Sequence, residues 1–177
     1  MTRRAKGAAI LLAVALGALA SAASATEGAR VGPDSGEPVP RFMALRGDHV
    51  NGRRGPGTQH RIDWIYRTPG LPLLVTAESG PWRRVRDPDG AEVWMHSAYL
   101  ESRRTIYVRG ERLGSAALRQ EPDADSRVIA YLERGVVGEL AACRGEWRQL
   151  RVDNRRGWAE ASDLWGAQSC AAEAQEE

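Results

Sequence analysis

Few side chains in this 177-residue sequence have the types and spacing that bond-making chemistry needs. His49, His60 and His96 stand apart, and none has the short interval to a second ligand that a zinc site uses. Cys143 with His96 is the one combination of thiol and base to consider. Cys170 competes for that thiol, and in an exported chain two cysteines read as a disulfide rather than as a redox or metal site. Cys170 follows Cys143 by 27 residues, a loop whose closure stabilises by about 3 kcal/mol in chain-entropy terms. The chain therefore reads as a protein that is not an enzyme and carries no cofactor or metal.

The chemistry that remains is recognition. Six Trp stand against one Phe, and every basic residue after Lys6 is Arg. Indoles give large contact area at low entropic cost, and guanidinium groups bind carboxylates bidentately. Scattered arginines are also what a biased genome composition produces, so Arg content alone names no ligand. Strand parity gives the aromatics a place. If Val85, Val93 and Met95 point inward, then Trp82, Arg84, Arg86 and Trp94 lie on the opposite face. The expected ligand-binding set is Trp82, Trp94 and Tyr99 with Trp64, Tyr66, Arg53 and Arg54, forming a groove for an extended peptide. Arg83, Arg84 and Arg86 are expected to receive acidic groups beside it. The alternative is structural, with the Trp pairs filling the contact between two barrels or capping their ends, and the arginines forming a solvated face.

The elements that must position these residues are short strands. Ile62 to Tyr66 is β-prone. Leu71, Leu73, Val75 and Ala77 alternate with other residues at the period of a half-buried strand, and Asp87-Pro88-Asp89-Gly90 is a hairpin turn. No segment of the mature chain shows a long helical period. Short strands separated by Gly/Pro turns imply small antiparallel barrels.

The ends carry different signals. Arg3, Arg4 and Lys6 precede an apolar run from Ala8 to Ala20, and Ala23-Ser24-Ala25 has the small-x-small pattern of a cleavage site. Residues 1–25 are expected to be a signal peptide cut after Ala25. The alternative is an uncleaved anchor, although the run is short of the ~20 residues that span a bilayer. The location implied is periplasmic or secreted, with no stable membrane span after cleavage. Cleavage leaves 22 basic against 23 acidic residues, and residues 41–109 keep 12 Arg against 7 acids. Export and a net charge near zero argue against nucleic acid as a partner. Residues 26–40, rich in Gly and Pro, read as a flexible linker, and 167–177 as a tail.

The chain repeats itself. Pro56 and Pro122 are 66 residues apart, Trp82 and Trp147 are 65 apart, and Trp94 and Trp158 are 64 apart. A period with loop-sized slippage indicates duplication, placing one unit at 41–109 and its copy at 110–166. The opening string Arg53-Arg54-Gly55-Pro56-Gly57-Thr58, the Gly-x-Trp-x-x-Val/Leu pattern at Trp82 and Trp147, and the endings at Leu100 and Leu164 carry a resemblance. The chain resembles the bacterial SH3-like (SH3b) family, in particular the tandem SH3-like proteins exported by Gram-negative proteobacteria. That resemblance implies an all-β fold of two tandem SH3-like antiparallel β-barrels and a non-catalytic module for peptidoglycan peptide or an envelope protein. The sequence departs from the pattern at Gly52, where relatives place an apolar residue and the second copy has Leu118. It departs again at Arg148, where relatives often carry a second Cys.

Overall fold

The structure, a computed structural model, describes residues 30–110 and 114–170. The expected signal peptide with its cleavage at Ala25 and the last seven residues of the tail lie outside the described residues. Among those described, no helix is long and apolar enough to cross a membrane.

The described residues begin with a two-stranded hairpin, β1 (Arg30–Val31) and β2 (Pro38–Val39). The first barrel comprises β3 (Arg41–Leu45), β4 (Val50–Arg53), β5 (Ile62–Tyr66), β6 (Pro72–Ser79), β7 (Trp82–Arg86), β8 (Glu92–His96) and β9 (Leu100–Glu101). A 3-10 turn, Ser97–Tyr99, joins the last two. The second barrel comprises β10 (Thr105–Val108), β11 (Ser115–Arg119), β12 (Val128–Glu133), β13 (Val137–Arg144), β14 (Trp147–Val152), β15 (Arg155–Glu160) and β16 (Leu164–Trp165). Both sheets have seven strands in the same spatial order, β5-β4-β8-β7-β6-β3-β9 and β12-β11-β15-β14-β13-β10-β16. The duplication therefore extends to topology, strand for strand. The run at 105–108, which falls inside the 41–109 unit expected from the repeat, is hydrogen-bonded to β13 and β16 within the second sheet.

Each barrel closes on its own core. Leu45, Leu73, Val75, Val85 and Met95 are fully enclosed in the first, and Ile106, Val108, Leu118 and Leu150 in the second. Enclosing a side chain of this size stabilises by about 1.5–3 kcal/mol. The alternation expected along 71–77 holds through Val75 and then breaks at a bulge between Val75 and Ala77. Arg83 shares the parity of Val85 and lies on the inner side of β7, 7% exposed. It is not available to a partner, because its guanidinium is turned onto the carbonyls of Gly80 and Trp82 and onto Glu78. Arg148 repeats the device on Gly145 and Trp147.

The departure at Gly52 has a steric cause. A Cβ there would lie 2.8 Å from Val93 and 2.9 Å from the Tyr66 ring. In the second barrel the large and small positions are exchanged: Leu118 fills the space, and a Cβ on Gly157 would lie 2.8 Å from it. Each copy keeps one bulky residue at this crossing of strands, on opposite sides.

Residues 30–40 do not form the flexible linker that their composition implied. They are a strap laid on the end of β6 and organised around Glu78, whose side chain is fully buried. Its carboxylate accepts from the Asp34 and Ser35 backbone N–H groups, from Ser35 Oγ at 2.6 Å and from Arg41 Nη1 at 2.9 Å. Burial pushes the carboxyl up, but these donors outweigh it and hold the group down at about 2. Asp34 returns the contact by accepting from Gly80 N. A carboxylate with this many donors orders a segment that has little apolar surface of its own.

The barrels meet through a residue outside the expected Trp pairs. Trp165 is 9% exposed, donates from Nε1 to the Pro72 carbonyl at 2.9 Å, and receives Phe42 edge-on at 5.2 Å between ring centres. The Arg109 guanidinium lies 4.4 Å from the centre of its ring. Tyr107 and Val137 of the second barrel also pack on the core of the first. Barrels of this size are marginal alone, and this contact gives each a further buried face.

Candidate functional site

The outward face of β7, β8 and β4 is a small grid set by register. Trp82 lies opposite His96, Arg84 opposite Trp94, and Arg86 opposite Glu92. Trp94 also lies opposite Arg53 of β4, so Asn51, two residues back along β4, falls beside His96. Val85, Val93 and Met95 are buried and Arg84 and Arg86 exposed, which is the parity expected from the sequence.

One end of this face is aromatic. Trp82 and His96 meet edge-to-face with ring centres 5.5 Å apart, and His96 and Tyr99 at 6.5 Å. His96 Nδ1 accepts from the Ala98 backbone at 3.2 Å, which caps the 3-10 turn and fixes the ring. An accepting Nδ1 places the proton of the neutral ring on Nε2, leaving a donor for a ligand. These three rings, with Asn51, Arg53, Thr58 and Ala98, line an open cleft of about 320 Å³. None of the lining residues carries a carboxylate.

The other expected site residues divide. Arg53 lines the cleft, but its Nη1 also donates to the carbonyls of Thr58 and His60 at 2.9 and 2.8 Å, holding the Arg-Gly-Pro-Gly loop closed. Arg119 does the same for Ser126 in the second barrel. Arg54 points to solvent and pairs with Asp63 at 3.3 Å. Trp94 occupies the middle row of the grid and is not among the residues lining the aromatic cleft. Trp64, 57% exposed, lies opposite Gly52 on β5 and borders a separate depression of about 300 Å³. Tyr66 faces inward against the first core, with its hydroxyl donating to Asp87 Oδ2 at 3.0 Å. Burial, reinforced by the Asp87 charge, pushes that phenol upward. Tyr66 thus packs on the first core, where Gly52 leaves room beneath it, and borders the depression beside Trp64 rather than the aromatic cleft.

Sequence reasoning missed His96, Asn51 and Thr58. His96 shared its parity with Trp94, and that was the available signal; Thr58 is brought in only by the closure of its loop. The second barrel lacks the aromatic row. The positions 64 residues after His96 and Tyr99 are Glu160 and Asp163, and Glu160 lies opposite Trp147. Among the described residues, no three His, Cys, Asp or Glu side chains gather as a metal ion would require.

The family model for the bacterial SH3 domain matches residues 46–101 and 114–166, one segment in each barrel. The chain belongs to the bacterial SH3 domain family. It carries two such domains in tandem, in keeping with the duplicated topology. Two solved structures, NlpC2 and NlpC1 from Trichomonas vaginalis, align with it at 12% and 11% identity over 71% and 76% of this chain. The TM-score is 0.32 for both, and the alignment spans about half, 48%, of either structure's own length. No curated protein matches the chain.

Proposed function

We propose that this protein is a non-catalytic, exported binding module whose first SH3 domain holds a peptidoglycan peptide in the Trp82–His96–Tyr99 cleft. The observation that carries this reading is the aromatic row itself, open to solvent in the first copy, whereas the second keeps Trp147 but has Glu160 and Asp163 at the positions of His96 and Tyr99. An extended peptide places one residue across each ring at a small entropic cost. A cleft without acids, with His96 and Arg53 in its walls, favours a ligand that carries carboxylates. The contact made by Trp165 supports the same reading, since it joins the barrels without drawing on Trp82. Pull-down on purified sacculi, washed at high salt, tests the proposal. The protein is expected to be retained, and Trp82→Ala to be lost while remaining folded. Absence of the wild-type protein at micromolar concentration would overturn the cell-wall ligand in favour of a peptide segment of an envelope protein.

The exported reading also carries a Cys143–Cys170 disulfide. The Cys170 side chain lies outside the described residues, but its 3-10 turn is held toward β14 by Arg148 Nε, which donates to the Ala167 carbonyl at 2.9 Å. Intact mass without reductant is expected to be lower by one H₂, and reduction to cost about 2–4 kcal/mol in stability. Alkylation of both thiols without reduction would contradict the bond.

A further inference from the structure

The strap does more than cover β6. It carries Arg30 to the outward face, where Arg30 Nη2 donates to the Thr76 carbonyl at 3.0 Å. Between the strap and that face lies a second cleft of about 440 Å³, into which Arg30, Arg84 and Arg86 contribute three guanidinium groups and Glu92 one carboxylate. Glu92 is shared, hydrogen-bonded to Arg84 and bound at 2.7 Å by Arg86 Nη2. Three cations against one anion leave the cleft with a net charge of about +2. A guanidinium has five donors. Arg30 has one committed to Thr76, and Arg84 one to Glu92.

We infer that this strap-walled cleft is a second subsite, which binds the carboxylate of an acidic residue in the same extended peptide whose other part occupies the aromatic cleft. The inference rests on the reading of the aromatic cleft as a peptide site. Register supplies the geometry. Trp82 and Arg86 are the ends of one outward row on β7, with Arg84 between them. Two steps of two residues along a strand cover about 13 Å, the length of four residues of extended peptide. A carboxylate about four residues from the group seated on Trp82 therefore reaches the arginines. Pro40 and Leu74 form part of the wall and suit the methylene stem of an acidic side chain. Inorganic phosphate has no such stem to bury.

The test uses two pentapeptides that differ only in Glu or Gln four residues from an aromatic end, titrated into the purified protein. The Arg Nε–H and Trp82 indole N–H signals are followed by NMR. The Glu peptide is expected to bind about fivefold tighter or better. The preference should vanish in the Arg84→Ala/Arg86→Ala double variant and weaken in Arg30→Ala. These arginines are on the surface, so the variants keep the fold, and an unchanged Trp82 signal checks this. Movement of Trp82 with no Glu preference would overturn the second subsite and leave the aromatic-cleft reading standing. A Glu preference seen at the arginines while Trp82 stays unmoved would overturn the aromatic-cleft reading and the shared ligand together. Displacement of the Glu peptide by inorganic phosphate at equal concentration would replace the peptide site with a general anion site.

Discussion

Trp165→Ala is expected to destabilise the protein by about 3–5 kcal/mol, the usual cost of deleting a buried aromatic. The loss goes beyond apolar area. The indole donates to the Pro72 carbonyl of the first barrel, meets Phe42 edge-on, and lies against Arg109 of the second. Without it the Pro72 carbonyl loses its donor inside the contact, and each barrel loses the face that its partner covers. Chemical denaturation is therefore expected to change form as well as midpoint, from one cooperative transition to two. A single transition with an unchanged midpoint in Trp165→Ala would show that the barrels are stable without this contact. Trp165→Phe keeps most of the area and removes only the donor, so it is expected to fall between.

Glu78→Ala is expected to release the strap. It leaves the Arg41 and Arg83 guanidinium groups, 17% and 9% exposed in their side chains, without their carboxylate. It also leaves the Ser35 and Asp34 N–H groups without an acceptor. Breaking a buried charged cluster from one side costs about 3–5 kcal/mol. The expected signs are a lower midpoint and rapid amide exchange at residues 34 and 35. Acid should do reversibly what the substitution does permanently. The Glu78 carboxyl is held at about 2 in the fold, below its ordinary value of 4.5. The stability it contributes is therefore complete above about pH 4.5 and falls away as pH drops toward 2. In Glu78→Gln this acid-dependent part of the strap's release should disappear. Amide exchange at Ser35 that is independent of pH over that range, after correction for intrinsic rates, would contradict the assignment.

The strap shows where local pattern stops being informative. Its composition, with Gly32, Pro33, Gly36, Pro38 and Pro40, contains too little apolar surface to predict order, and its order comes from a carboxylate more than forty residues away. Even Gly32 is explained only by that partner, since a Cβ there would lie 2.5 Å from Glu78 Oε2. The barrels were legible for the opposite reason. Val85, Val93 and Met95 alternate at the period of a strand, and the duplicated Trp positions set the frame of both copies. Parity correctly brought Trp82, Arg84 and Arg86 to the outer face. The expectation that Arg83 and Tyr66 face a ligand did not follow from parity: Arg83 shares the parity of Val85 and turns inward, and Tyr66 packs on the core in the room that Gly52 leaves. The contact between the barrels was hidden too: Trp165 lies at the end of the repeat, where no alternation remains to read.

The aromatic cleft of the first domain, and not its counterpart in the second, is the proposed seat of the ligand. Calorimetric titration with a peptidoglycan stem pentapeptide, comparing Trp82→Ala with Trp147→Ala, tests it most directly. The two tryptophans occupy matching positions before matching arginines, so general effects on folding should be alike. At least about a tenfold loss of affinity is expected in Trp82→Ala, and wild-type affinity in Trp147→Ala. Equal losses in both, or a loss confined to Trp147→Ala, would contradict it.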